Sequence, residues 1–504
     1  MHISTASMAA GLSATLATLA AALPGPASGL DKRYTEERNG INYNVFEHAD
    51  TRSKLSFVNN SGICETTSGV NQYSGYISVG PDMNMFFWQV ASFLMIPAAP
   101  TLSPLLLTDN SVRFFEARDN PTTAPLATWF NGGPGCSSMI GLFQENGPCQ
   151  FYNGSSTPSL NPYSFNNYAN MLYIDQPIGV GFSYGNDTVN STVSAAPQVW
   201  ALLQSFYAQF PQYESRDFGI FTESYGGHYG PEFASYVQQQ NAGIKAGNVT
   251  GEPINLVAVG INNGWFESKM QYRAYIDYSA NNSYKQILTP EDYSEYMNTY
   301  ISDCEPAING CYSGGTDDLC SGAQDTRVQD IENAIMGEAD FDPYDVRQLS
   351  NDPYPPGQYK NYLAKQSVQK AIGAQSSYQE CPSAAYQKFS NTGDNTRSFL
   401  DTLSDVVQSG VTVLVWAGDA DWICNYMGVQ AVANAVDFDG SDELNAKDLQ
   451  PYTVNRKETG KYKTVKNFTY LQVYAAGHEV PYYQPETALQ VFMQTMQKKG
   501  ISST

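Results

Sequence analysis

Residues 218–228 read Phe218-Gly-Ile-Phe-Thr-Glu-Ser-Tyr-Gly-Gly-His228: a short apolar run, a serine among small residues, then a helix-forming stretch. A strand that turns sharply into a helix through a serine is a nucleophile elbow. The tight turn lifts the hydroxyl clear of the sheet, and only small neighbours permit it. Ser224 is the candidate nucleophile, and the backbone N–H of Tyr225 is aimed where an oxyanion would develop. Thr222 stands where the bare G-x-S-x-G pattern has its first glycine. These residues alone therefore leave open a plain N-cap serine opening the helix.

Outward from the elbow the same pattern repeats. Leu126–Phe130, Met171–Ile174, Phe218–Phe221, Leu256–Ile261, Val411–Trp416 and Tyr470–Tyr474 are short runs rich in β-branched or aromatic residues, as buried strands are. Helix-like stretches lie between them at Pro197–Gln209, Gly227–Gln240 and Thr396–Gln408. This alternation predicts an α/β fold, a central mostly parallel sheet with helices on both faces. From about Glu267 to Lys370 the chain turns polar and Tyr-rich and carries Cys304, Cys311 and Cys320. It reads as a helical, disulfide-bearing insertion over one end of the sheet, with an independent small disulfide domain as the alternative.

Histidine is scarce, and that narrows the choice of general base. Of four histidines, His2 lies in the N-terminal leader, His48 in a polar stretch, and His228 one helical turn past Ser224, pointing along its helix. His478 follows the run Tyr470–Tyr474, where a loop can swing an imidazole over the nucleophile. An acid between the two must fix the imidazole tautomer, and the end of Val411–Trp416 offers Asp419 and Asp421. Ser, Asp, His is the chain order of the α/β-hydrolase fold.

Composition bounds the setting. The 504 residues hold 27 Lys+Arg against 49 Asp+Glu, a net charge of -22 that phosphate backbones and anionic membranes repel. Charged residues are only 15% and hydrophobic ones 42%, so the chain is core-rich and not an acidic disordered tail. Ile3–Leu23 is an uncharged Ala/Leu/Ser/Thr run, and Ala20 with Ala22 or Gly25 with Ala27 fits signal cleavage. The dibasic pair Lys32-Arg33 reads as a maturation site, making residues 1–33 signal peptide and propeptide of a zymogen and 34–504 the mature catalytic domain. Its removal takes away Asp31, Lys32 and Arg33, so -22 becomes -23. Seven sequons, at Asn59, Asn153, Asn186, Asn190, Asn248, Asn281 and Asn467, agree with secretion as a glycoprotein. Eight cysteines lack paired C-x-x-C units, which speaks against a zinc site, and their connectivity is open.

Four motifs now stand in order: Asn131-Gly-Gly-Pro-Gly-Cys-Ser-Ser138, Glu223-Ser-Tyr-Gly-Gly-His-Tyr229, Gly418-Asp-Ala-Asp-Trp-Ile-Cys-Asn425 and Ala476-Gly-His-Glu-Val-Pro481. Together they resemble the serine carboxypeptidase family, over a span from Tyr73-Ser-Gly-Tyr76 to Gln484-Pro485-Glu486, and most resemble its fungal secreted S type. The resemblance implies an α/β-hydrolase fold with Ser224 as nucleophile, His478 as base then acid, and Asp421 rather than Asp419 as the orienting acid. It implies an oxyanion hole from the N–H groups of Gly133 and Tyr225, each such donor typically worth roughly 3 to 4 kcal/mol in the transition state. It assigns recognition of the substrate's C-terminal carboxylate to Asn131, the Gly132 backbone, Glu145 and Glu223. Cys424 matches a position that can be a free thiol.

The expected activity is removal of the C-terminal amino acid from peptides and proteins through an acyl-enzyme, with no metal and no cofactor. Two carboxyls facing an anionic group cannot both ionise, which predicts a preference for acidic pH. Glu479 replaces a Met found in some relatives and is expected to favour Lys or Arg as the departing residue. The expected partners are peptide C-termini, without nucleic acid or a membrane anchor, and the expected location is extracellular, with vacuolar delivery as the alternative. An acyltransferase or esterase on the same scaffold is the rival activity, and an inactive decoy hydrolase the rival of another class.

Overall fold

Strands β6 (Leu126–Phe130), β9 (Asn170–Ile174), β11 (Phe218–Glu223), β12 (Leu256–Asn262), β13 (Thr412–Gly418) and β16 (Phe468–Val473) form the centre of one sheet. The computed structural model describes residues 31–49, 52–92, 117–120, 122–352 and 354–504. The candidate signal run Ile3–Leu23 and its cleavage positions lie outside them. The central strands pair in parallel in the order β9-β6-β11-β12-β13-β16. Their side chains alternate between two cores: Val413, Val415 and Ala417 enter one, and Leu414 and Trp416 the other. Burial on both faces is why these strands read as unbroken apolar runs.

The sheet is parallel only through this centre. Strands β1 (Lys32–Arg38), β2 (Ile41–Glu47), β3 (Lys54–Asn59), β4 (Val70–Gly80) and β5 (Met83–Ser92) extend it antiparallel on one side. Strands β14 (Gln450–Val454) and β15 (Lys457–Val465) do so on the other. The two-residue β10 (Tyr184–Gly185) pairs with β5, while β7 (Cys149–Gln150) and β8 (Ser159–Leu160) form a separate hairpin. Most of these outer strands carry mixed burial, but Met85–Trp88 of β5 is an apolar run buried on both faces, Met85 and Phe87 in one core and Phe86 and Trp88 in the other. The β1–β2 hairpin has a local signal nonetheless, Asn39-Gly40, with φ of 52° and 71°.

Helices α1 (Thr192–Gln209) and α2 (Gly226–Lys245) pack together on one face of the sheet. The helix Pro485–Met496 covers the other, its Phe492 stacked 4.1 Å from Phe165 and edge-on to Phe221. The stretch expected to be helical over Thr396–Gln408 splits into a 3-10 turn, Asp394–Thr396, and a helix, Leu400–Gln408.

Between β12 and β13 the chain runs through α3 (Ser268–Asn281), α4 (Pro290–Thr299), α5 (Glu305–Gly314) and α6 (Asp317–Arg327), followed by shorter helices. This helical stretch shares the main core, with Tyr275 stacked 4.3 Å from Trp422. Its descending segment pins the loops beyond β13 and β16: Pro343 O accepts from Trp422 N and Ile423 N, and Tyr344 O from His478 N.

Candidate active site

All central strands point their carboxyl ends the same way, so the residues just past β6, β11, β12, β13 and β16 converge on one crevice, the usual ligand site of an open parallel sheet. Ser224, past β11, has a left-handed φ of 61°. Such a conformation is costly for serine and persists because the surroundings hold it. Ser224 N donates to Asn262 O at 3.0 Å, and its carbonyl accepts from Trp265 N and Gly227 N. Thr222 fits because Gly226 is a glycine: a Cβ there would overlap the Thr222 side chain, whose Oγ1 instead donates to Gly226 O at 2.9 Å. The turn still needs its glycine, and this chain keeps the one on the helix side.

His478 Nδ1 lies 2.8 Å from Asp421 Oδ2, and both side chains are buried. Asp421 is held in turn by Asn263 Nδ2 at 2.6 Å and by Ile423 N and Cys424 N. Asp419 is occupied elsewhere, accepting from Tyr284 Oη at 2.7 Å, so the geometry chooses Asp421. His228 is fully buried, its ring nitrogens 2.5 Å from Trp265 O and 3.2 Å from Asp394 O, away from any base role. The Cys424 thiol is within hydrogen-bonding reach of Ser224, and burial, then the Asp421 charge, pushes it well up. Asp421, Cys424 and His478 are close enough to share a metal ion. Binding one would first break the His478–Asp421 hydrogen bond.

A second constellation lies beside the first. Asn131 Nδ2 donates to Glu145 Oε1 at 2.9 Å and to Glu223 Oε1 at 3.2 Å, while its own Oδ1 accepts from Trp129 Nε1 and Gly141 N. Glu223 Oε2 accepts from Asn262 Nδ2 at 2.8 Å. Burial raises both carboxyls, and Glu223 goes further because the Glu145 charge adds to it. Glu145 Oε2 is buried without a protein partner. Glu479 is the third acid: its residue is half-buried, but its Oε2 is sealed and unpartnered, and burial with the Glu145 charge drives its carboxyl well up. At least one proton is therefore held within this trio well above the ordinary carboxylate range.

Between the two constellations runs Asn131–Ser138. A Cβ at Gly132 would overlap the Tyr225 backbone nitrogen, so only glycine lets this loop approach the elbow. The backbone N–H groups of Gly133 and Tyr225 donate to no protein acceptor among the described residues.

A family model described as serine carboxypeptidase matches residues 113–498. The chain belongs to the serine carboxypeptidase family. Carboxypeptidase S1 of Penicillium janthinellum is 63% identical over 448 residues, 89% of this chain and 100% of its own length. Carboxypeptidase Y of Schizosaccharomyces pombe is 36% identical over 91% of this chain and 44% of its own. Among solved structures, a prohormone-processing carboxypeptidase of Saccharomyces cerevisiae, Kex1(delta)p, superposes with a TM-score of 0.70, covering 88% of this chain and 95% of its own at 21% identity. The α/β-hydrolase fold expected from the elbow is the fold found.

This serine carboxypeptidase has disulfides Cys64–Cys149, Cys136–Cys381 and Cys311–Cys320, and free, buried Cys304 and Cys424. Cys136–Cys381 fastens the Asn131–Ser138 loop, and Cys311–Cys320 joins α5 to α6. Among the described residues no helix is long and apolar enough to cross a membrane. Asn262, Asn263 and Tyr344, all in contact with Ser224, Asp421 or His478, escaped the sequence reading. Asn262-Asn263 is the step that ends β12, so the rule that singled out Asp419 and Asp421 at the end of their strand would have found it.

Proposed function

We propose that this enzyme removes single residues from peptide C-termini by acyl transfer through Ser224. The observation that carries the reading is the buried Asn131 amide bridging the carboxyls of Glu145 and Glu223 beside the elbow. Neutral or proton-sharing carboxyls and an amide N–H are donors suited to a substrate carboxylate, and a buried site of this kind admits a chain end but no continuing chain. Ser224 Oγ attacks the last peptide carbonyl while His478 Nε2 takes its proton, with Asp421 holding Nδ1–H. The Gly133 and Tyr225 N–H groups receive the oxyanion. His478 then protonates the departing amino acid and activates water for hydrolysis of the ester.

The carboxylate site requires its shared proton, so activity belongs to acidic solution and fades as that proton leaves. Glu479 favours Lys or Arg as the departing residue: an arriving cation offsets the burial and the Glu145 charge that hold the Glu479 proton, and pairs with the carboxylate so released. The enzyme enters the secretory route through residues 1–33, and 34–504 is the mature domain. Lys32 and Arg33 open β1, where Arg33 Nη1 donates to Gln209 Oε1. Six sequons, Asn59, Asn153, Asn186, Asn190, Asn248 and Asn281, are exposed and suited to glycans. The seventh, Asn467, gives both hydrogens of its amide, to Val407 O and Val411 O at 2.8 and 2.6 Å, so a glycan there would forfeit at least one of these bonds.

A peptide and its C-terminal amide, assayed side by side at acidic pH, test the reading. Hydrolysis of the free acid alone is expected. Equal turnover of both would favour an esterase or acyltransferase, and absence of covalent fluorophosphonate labelling at Ser224 would remove the acyl-enzyme.

A further inference from the structure

The N–H assigned to the oxyanion hole belongs to a residue whose side chain runs inward. Tyr225 is 2% exposed, and its phenol Oη donates to Asp394 Oδ2 at 2.6 Å. The same oxygen accepts from Thr192 N at 3.0 Å and Thr192 Oγ1 at 2.6 Å. Three donors thus meet one oxygen of a carboxylate that is 1% exposed. The ring itself is stacked on His228 at 4.4 Å and meets Phe389 edge-on.

We propose that Asp394 is a positioning residue for the oxyanion hole, acting through the phenol of Tyr225. The peptide N–H of Tyr225 donates to no protein acceptor among the described residues; its plane is held on the carbonyl side, where Ser224 O accepts from Trp265 N and Gly227 N, and on the Cα side by the grip on the Tyr225 side chain, so its fine aim depends on both. Asp394 supplies that grip from outside the elbow. It sits on a turn that is itself anchored: Asn395 O accepts from Trp265 Nε1 at 2.9 Å, and Asn395 Oδ1 from the buried Arg327 at 2.6 Å. Gly393, with a φ of 60°, lies so close to the Cys320 backbone that a Cβ there would overlap it. The helical stretch between β12 and β13 thereby reaches the catalytic turn through Arg327, Asn395 and Asp394. Burial, then the Asp394 charge, keeps the Tyr225 phenol protonated, so it donates throughout the working pH range.

The inference rests on the oxyanion role proposed for Tyr225. A purely structural role, in which Asp394 only anchors the first turn of α1 through Thr192, predicts different kinetics. The test is kcat and KM for a blocked dipeptide in Tyr225→Phe, Asp394→Asn, the double variant and Thr192→Val, with thermal melting of each. Tyr225→Phe and Asp394→Asn are each expected to lower kcat about tenfold with KM within about twofold, a misaimed donor being milder than a missing one. The double variant should lose no more than the worse single, because both cut the same link. Thr192→Val should lower the melting temperature and leave kcat. Unchanged kcat in Tyr225→Phe, a KM rise that accounts for the loss, multiplicative losses in the double, or an equal kcat loss in Thr192→Val would each overturn the proposal. Tyr225→Phe keeps the test alive if Asp394→Asn does not fold. Normal fluorophosphonate labelling of Ser224 in every variant separates failure of this inference from failure of the acyl-enzyme reading.

Discussion

Replacing Glu145 and Glu223 together by Gln should flatten most of the pH dependence of substrate binding while leaving chemistry at Ser224 in place. Two carboxyl oxygens bonded to one amide nitrogen, at 2.9 and 3.2 Å, lie close together. Two full charges about 4 Å apart at an effective dielectric constant of about 20 repel by about 4 kcal/mol. That repulsion, added to burial, holds the pair's second proton well above the ordinary carboxylate range. A substrate carboxylate would meet the same repulsion once that proton leaves. In the wild type, KM for a blocked dipeptide should therefore rise by up to about tenfold per pH unit above the pair's upper ionisation. In the Gln pair these two donors cannot ionise, so binding at acidic pH should weaken and KM should rise much less steeply with pH, the remaining slope being that of Glu479. The assay is KM and kcat from pH 4 to pH 8, with the C-terminal amide of the same peptide as the control that lacks the carboxylate. Parallel KM profiles in wild type and double variant would refute the shared-proton argument.

Glu479→Met should lower the Arg-to-Leu ratio of kcat/KM for the departing residue by about tenfold or more, the worth of one partly buried charge pair; an unchanged ratio would show that the acid faces no substrate. Gly226→Ala should destabilise the fold by about 1–3 kcal/mol through overlap with Thr222, and adding Thr222→Gly should restore most of it, as read by thermal melting. Asp175 is fully buried, and burial raises its carboxyl from 3.8 to about 7 against bonds from Ser137, Phe182 and Ser138. A raised acid stabilises below its unfolded pKa, and that contribution is lost as pH climbs to the folded value. Melting temperature should therefore fall between about pH 4 and pH 7, with up to about 4 kcal/mol at stake, and more shallowly in Asp175→Asn. Mass spectrometry of the protein expressed through a eukaryotic secretory pathway should find Asn467 bare while exposed sequons such as Asn248 carry glycans.

The parallel core was legible because burial on both faces writes itself as short apolar runs, and each run named in advance lies on an observed strand to within a few residues. The antiparallel flanks were not: β2, β14 and β15 alternate in burial and blend with loops, whereas Met85–Trp88 of β5 is as apolar as the runs that were named, and Asn39-Gly40 marked one of the turns. The elbow announced Ser224 despite Thr222, and scarcity alone nearly chose His478. Chain order, the strand–turn–helix grammar and the four motifs are local properties, and the sequence by itself determined them. Which of Asp419 and Asp421 faces the histidine was implied by resemblance and decided by Tyr284, which comes from the far end of α3 to occupy Asp419. Disulfide partners, the ionisation of Glu145, Glu223 and Glu479, and the grip of Asp394 on Tyr225 were decided only by tertiary structure. Except for Cys311–Cys320, these depend on groups tens to hundreds of residues apart being driven from water to within a few ångströms of one another, and the energy of a buried charge or thiol is set by those neighbours and not by its own chain position.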